Sequence, residues 1–325
     1  MKRALSGCAL LLALLLSGCA PQKVSSVGFN LDTVISISAY NVPQSVADDA
    51  LARVAGYEEK LSKTIEGSDV WHINHADGRP VTVGDDTRKI LEMSAKTSAD
   101  SLGAFDITVA PEVALWDFKA ENPALPDAAK LVSAAKMVDY TKLSLSGNTV
   151  TLPRGMQIDL GSIAKGYITD RIAEYCRERG VKSGILNFGG NVVVIGRRPD
   201  GQPWSVGIRD PANPDGEPIY VVQAADSAVT TSGIYERGFT LNGVRYHHIL
   251  DPETGWPVQN ELASVTLLAP DSFTADAYDT PCLVLGLEKG MALAESLPGV
   301  EGIFIDKDGR IYLTSGLKNK QEMHE

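Results

Sequence analysis

Asp159-Leu-Gly-Ser-Ile-Ala-Lys-Gly-Tyr-Ile-Thr-Asp170 is the stretch from which the rest of the chain can be read. Gly161 and Gly166 ease a change of backbone direction, and Ala164, Ile168, Ile172 and Tyr175 then recur at helical spacing until Gly180. The pattern predicts the end of a strand, a turn and a helix. A helix start leaves backbone N–H groups without intrahelical partners, so it suits a phosphate, and Lys165 stands among those groups. The spacing of the two glycines mimics part of a P-loop. Tyr167 and Ile168 follow Gly166 where that motif needs Lys and then Ser or Thr, which argues against a nucleoside triphosphatase. The competing reading is a glycine-eased turn with a solvated lysine.

Upstream, Phe29 to Tyr40 alternates like a half-buried strand, and Val46, Ala50, Val54, Tyr57 and Leu61 mark a helix that Ser45 could cap. Further helices are expected over Asp86 to Leu102 and Pro126 to Lys136, with a hairpin turned at Ser146-Gly-Asn148. Downstream, Ser183 to Gly196 reads as a strand interrupted by Gly189-Gly190. Shorter strands follow at Trp204 to Ile208, Ile219 to Gln223, Ala228 to Thr231 and Val265 to Ala269. Helices over Thr274 to Leu287 and Lys289 to Leu297 precede a closing hairpin, Ile303 to Leu313. No strict βαβ rhythm appears, and no Gly-x-Gly-x-x-Gly follows the first strand, so a Rossmann domain is disfavoured. The expected fold is α+β, with mixed, largely antiparallel sheets and packed helices.

With 325 residues, 44% of them hydrophobic, the chain can bury a large core in one domain or two interlocked lobes. Lys2 and Arg3, the apolar run Ala9 to Leu16 and then Leu16-Ser-Gly-Cys19 read as a lipoprotein signal over residues 1–18, with Cys19 as the lipidated first residue. An ordinary secretory signal cut near Ala20 is the alternative. Residues 19–28 are expected to be a tether and 29–325 the folded domain, held outside the cytoplasm on a bacterial membrane. The formal charge of −11 and the lack of a basic patch argue against nucleic acid as a partner. Cys176 and Cys282 read as two separate buried thiols, with a disulfide between them as the alternative that an oxidising compartment would permit.

Asp276 and Thr280, four apart in an expected helix, place a carboxylate and a hydroxyl on one face. Both are oxygen ligands suited to magnesium, although such a pair is also common in helix capping. Four other stretches join the opening one: Gly103-Ala-Phe-Asp-Ile-Thr-Val-Ala-Pro111, Asn187-Phe-Gly-Gly-Asn191, Tyr246-His-His-Ile-Leu-Asp-Pro-Glu-Thr-Gly255 and Ala275-Asp-Ala-Tyr-Asp-Thr280. Together and in this order they closely resemble the ApbE family of FAD:protein FMN transferases, from about Phe29 to Ile305. The resemblance implies an enzyme that uses FAD as substrate with Mg2+, and moves FMN to a Ser or Thr hydroxyl of an extracytoplasmic flavoprotein acceptor. An FAD pyrophosphatase and a non-catalytic FAD-binding lipoprotein are the alternatives.

The same resemblance implies metal binding by Asp276 and Thr280, with a carbonyl at Ser162. It implies FAD contacts at Asp159 and Lys165, a flavin-nucleotide surface at Ala104, Phe105 and Asp106, and a pocket contact at Leu250. His248 aligns with the family's repeated histidine and could take a proton from an incoming hydroxyl, whereas His247 reads as structural or exposed. For Phe105 the competing reading is core packing; for Asp106 and Asp159 it is local caps. Asp251 either orients the His248 ring or caps the following turn. The chain departs from the usual pattern in places. Leu31-Asp32-Thr33 stands where Met-Gly-Thr is frequent, with Leu31 at a flavin contact. Thr64 replaces an aromatic residue, and Asp279 adds a third oxygen group beside Asp276 and Thr280.

Overall fold

The computed structural model describes residues 20–322. Cys19 and the expected signal, 1–18, lie outside the described residues. Among the described residues no helix is long and apolar enough to cross a membrane.

An eight-stranded sheet organises the molecule. Its strands are β1 (Lys23–Asn30), β2 (Thr33–Tyr40), β3 (Gly184–Phe188), β4 (Asn191–Ile195), β5 (Ser227–Gly233), β6 (Leu262–Ala269), β7 (Glu301–Asp306) and β8 (Ile311–Leu313). They lie side by side in chain order, and every neighbouring pair is antiparallel. The helices are excursions between strands. Of the long helices α1 (Gln44–Leu61), α2 (Asp85–Asp100), α3 (Ala164–Glu178) and α4 (Ser272–Ser296), α1, α3 and α4 cover one face of the sheet and α2 packs against α4. The α+β reading therefore holds.

Two cores sandwich the sheet. On the helix side Ile35, Ile37, Leu186, Val193, Val265 and Leu267 meet Ala50, Val54, Ile168, Ile172, Ala275 and Cys282. On the other side Val192, Val194, Val229, Ile303 and Ile305 meet a separate hairpin, Trp204–Ile208 with Tyr220–Ala224, and Leu317. This double cover explains the unbroken apolar run of β4, buried at every position. Where the second layer is missing, over β1 and β2, Val27, Phe29 and Val34 are exposed.

Several expectations need correction. The tether expected over 19–28 is mostly β1, paired along its whole length with β2. Its inward Ser26 hydrogen-bonds Asp48, so the strand lacks the apolar alternation that would reveal it. Gly189-Gly190 turns a hairpin rather than interrupting a strand. A Cβ at Gly189 would fall 2.1 Å from Thr33 Oγ1, so only glycine lets this turn pass β2. Ser45 does not cap α1, which begins after Pro43. The stretch before α3 is no strand; it makes one isolated bridge, Val109 to Gln157. The expectation of two helices over 274–297 holds: they are the two halves of α4, separated at the non-helical Gly286.

Candidate active site

α3 and α4 cross so closely that a Cβ on Gly166 would fall 2.4 Å from the Ser272 carbonyl oxygen and 2.5 Å from Asp276 Cβ. The missing side chain lets the Gly166 N–H donate to Asp276 Oδ2 at 2.7 Å. One of the N–H groups expected to await a phosphate is thus already engaged. Lys165 Nζ lies 3.6 Å from Asp276 Oδ1 and donates to Asn191 Oδ1 at 2.8 Å. The opening stretch, the Asn187–Asn191 turn and the Ala275–Thr280 segment therefore meet at one point.

One turn further along α4, Ser232 on β5 donates to Asp279 Oδ1 at 3.0 Å and stands 2.9 Å from Thr280 Oγ1. Asp279 Oδ2 is buried and has no hydrogen-bond partner among the described residues. Burial, and then the neighbouring Asp276, push the Asp279 carboxyl well above its ordinary range; Lys165 pulls the other way. An unpaired carboxylate oxygen beside a second carboxylate is a costly arrangement that a divalent cation would relieve. The hard oxygen donors fit magnesium, and Asp279 joins Asp276 and Thr280 as the group with a free acceptor. Among the described residues there is no group of three His, Cys, Asp or Glu that could hold a metal ion, so a metal bound here would also need hydroxyl or carbonyl oxygens.

The loop into α3 is tied to the rest of the chain through Asp159. Its N–H donates to the Ile107 carbonyl at 2.7 Å, its Oδ1 accepts from Gly161 N, and its Oδ2 pairs with Lys63 Nζ at 2.6 Å. Lys63 adjoins the departure at Thr64 and was not singled out in the sequence. Ser162, half-buried, lies on the same loop just before α3.

His248 sits at the base of a hairpin, Gly238–Leu241 with Val244–His247, and its backbone N–H and ring Nδ1 both meet the Arg237 carbonyl, at 3.2 and 3.3 Å. Desolvation first, then the charges of Arg237 and Lys165, lower its pKa to about 4. The lowered pKa keeps the ring neutral at physiological pH and also makes it a weaker base than an ordinary imidazole. His247 is buried with Nε2 3.1 Å from the Val258 carbonyl, which makes it the structural partner of the pair. Asp251 caps its own turn through Glu253 N and Thr254 Oγ1, so the capping reading prevails over ring orientation.

Other expected contacts divide. Leu250 is buried in an aromatic cluster with Trp116, Phe239 and Leu131. Phe105 lies in the main core. Asp106 spends Oδ1 on Thr108 and Oδ2 on Tyr140 N, so its carboxylate serves the loop. Ala104 is half-buried beside them. Leu31 and Asp32 turn the β1–β2 hairpin with φ of 53° and 59°, and Asp32 is clamped by Lys119 and Arg237. That pairing joins the Leu31 turn to the segment carrying His248. Glu112 went unnoticed in the sequence: it is fully buried, neither oxygen has a partner, and burial pushes it up to about 8.

The sequence profile of the ApbE family matches residues 31–304, and the chain belongs to that family. An FAD:protein FMN transferase of Klebsiella pneumoniae is 34% identical over 86% of this chain and 88% of its own length. One of Treponema pallidum is 38% identical over 75% of this chain and 72% of its own. Among solved structures, the ApbE protein of Thermotoga maritima superposes with a TM-score of 0.84 at 32% identity, covering 92% of this chain and 99% of that one.

Proposed function

We propose that the protein is a magnesium-dependent FAD:protein FMN transferase, acting on a Ser or Thr hydroxyl of an extracytoplasmic protein. The observation that carries this reading is the convergence of Asp276, Asp279, Thr280 and Lys165, with Asp279 Oδ2 left unpaired. Asp276, Asp279, Thr280 and the Ser162 carbonyl would hold the magnesium ion. When bound, the ion would supply charge neutralisation to the pyrophosphate.

The acceptor oxygen attacks the FMN-side phosphorus, a new P–O bond forms, and the bond to the AMP oxygen breaks. AMP leaves, and FMN remains on the acceptor as a phosphoester. Neutral His248 takes the hydroxyl proton. Lys165 offsets the charge that gathers on the departing phosphate.

Incubation with FAD, magnesium and a candidate flavoprotein, followed by intact-mass measurement of the acceptor, tests the proposal. A mass gain of one FMN is expected, and Asp276→Ala should abolish it. AMP and FMN released at a rate indifferent to every authentic acceptor, with none labelled, would replace transfer by hydrolysis. FAD held without turnover would leave a binding protein.

A further inference from the structure

Asp170 closes the opening sequence stretch, and no role in the chemistry above falls to it. It lies on α3 one turn beyond Gly166. Its Oδ1 accepts the Ser272 N–H at 2.9 Å and its Oδ2 the Phe273 N–H at 2.8 Å, both at the start of α4. Asp271, the residue preceding α4, caps the same end in the ordinary way by accepting from Thr274 N at 2.7 Å. A helix start needs such acceptors, but a local cap reaches only its own helix, whereas Asp170 reaches across from another. The contact from Asp170 to Ser272 and Phe273 and the contact from Gly166 to Asp276 are each one turn apart on both helices. Two ties at that spacing fix the slide of α4 along α3 and its rotation. A carboxylate at a helix start also meets the positive end of the helix dipole.

We propose that Asp170 is a positioning residue that sets the register of α4 against α3. It thereby fixes the placement of Asp276, Asp279 and Thr280 relative to Ser162 and Lys165. The inference rests on the magnesium reading of that site. Outer residues that orient metal ligands typically change metal affinity 10–100-fold when replaced. Asp170→Asn keeps the volume and one good acceptor but removes the charge and turns an N–H donor toward one backbone N–H. Asp170→Ala removes both acceptors.

Magnesium is titrated by calorimetry into wild-type and variant proteins loaded with FAD, without acceptor, and the transfer rate is then measured against magnesium concentration. Asp170→Asn should bind magnesium about 10-fold more weakly and Asp170→Ala more weakly still. The rate of Asp170→Asn should return to within about twofold of wild type at saturating magnesium, as expected when a variant loses metal affinity rather than reacting groups. A purely structural cap would lower the melting temperature and leave the magnesium affinity of the folded protein unchanged, and that result overturns the proposal. If Asp170→Ala does not fold, Asp170→Asn decides alone. A wild-type protein that binds no magnesium with FAD would overturn the metal reading itself. Normal magnesium binding by both variants would overturn only the role of Asp170.

Discussion

His248 shows how much of the site depends on surroundings rather than residue type. An isolated imidazole near pH 6.5 would be partly protonated under mild acid and a poor acceptor there. Burial with Arg237 and Lys165 nearby lowers this one to about 4. An NMR titration of the ligand-free protein should find its midpoint well below 6.5. A midpoint at the ordinary value would remove the argument for a neutral ring. His248→Ala should then suppress acceptor-dependent AMP release far more than FAD binding. Untouched transfer in that variant would end the proton-acceptor assignment while leaving the family assignment intact. The identity of His248 was legible from its motif. Whether His247 is buried or exposed was not, because its place depends on the Val258 carbonyl, brought in by the fold.

At the scale of elements, the apolar spacing of α3 was enough to predict the helix, since each buried position is set by the helical period. Gly166 was harder to read. In sequence it resembles turn chemistry, yet it lies inside α3 and makes room for Asp276, a residue far along the chain. The missed hairpin at 238–247 did carry a signal, Asn242-Gly243, whose φ values of 51° and 79° suit a two-residue turn. Glu112 had no such signal, since its effect comes from packing. It lies on a short helix, Ala110–Val113, against Gly255, where a Cβ would sit 3.0 Å from Oε1. Its folded pKa of about 8 exceeds the ordinary 4.5, so the folded state holds this proton more tightly. The associated stability is complete below about 4.5 and declines as pH rises toward 8. Glu112→Gln should reduce the loss of stability between about pH 5 and pH 8 by roughly 3 kcal/mol. Denaturant unfolding at both pH values measures it, and equal losses in the two proteins would mean that Glu112 is ionised in the fold.

At the scale of the whole molecule, the sheet changes what anchoring would mean. β1 begins at Lys23, and Gln22 is already pinned: its carbonyl accepts Asn41 N at 2.8 Å and its N–H donates to Asn41 Oδ1 at 3.0 Å. Only Ala20 and Pro21 then separate the fold from Cys19, a span of about 10 Å at full extension. We propose that Cys19 carries the lipid, in which case the first edge of the sheet rests close to the membrane and the molecule cannot reorient freely above it. Mass spectrometry of membrane-extracted protein should find a lipid-bearing Cys19 as the first residue. Cys19→Ala should move the chain to the soluble fraction and leave transfer to a soluble acceptor fragment unchanged, because no site residue lies near that end of β1 in sequence. The same variant should modify a membrane-embedded acceptor more slowly, since tethering raises the local concentration of one partner at the other. An unmodified, soluble chain from a host with normal lipoprotein processing would sink the anchor. Equal rates on the embedded acceptor would show that anchoring does not help the two proteins meet.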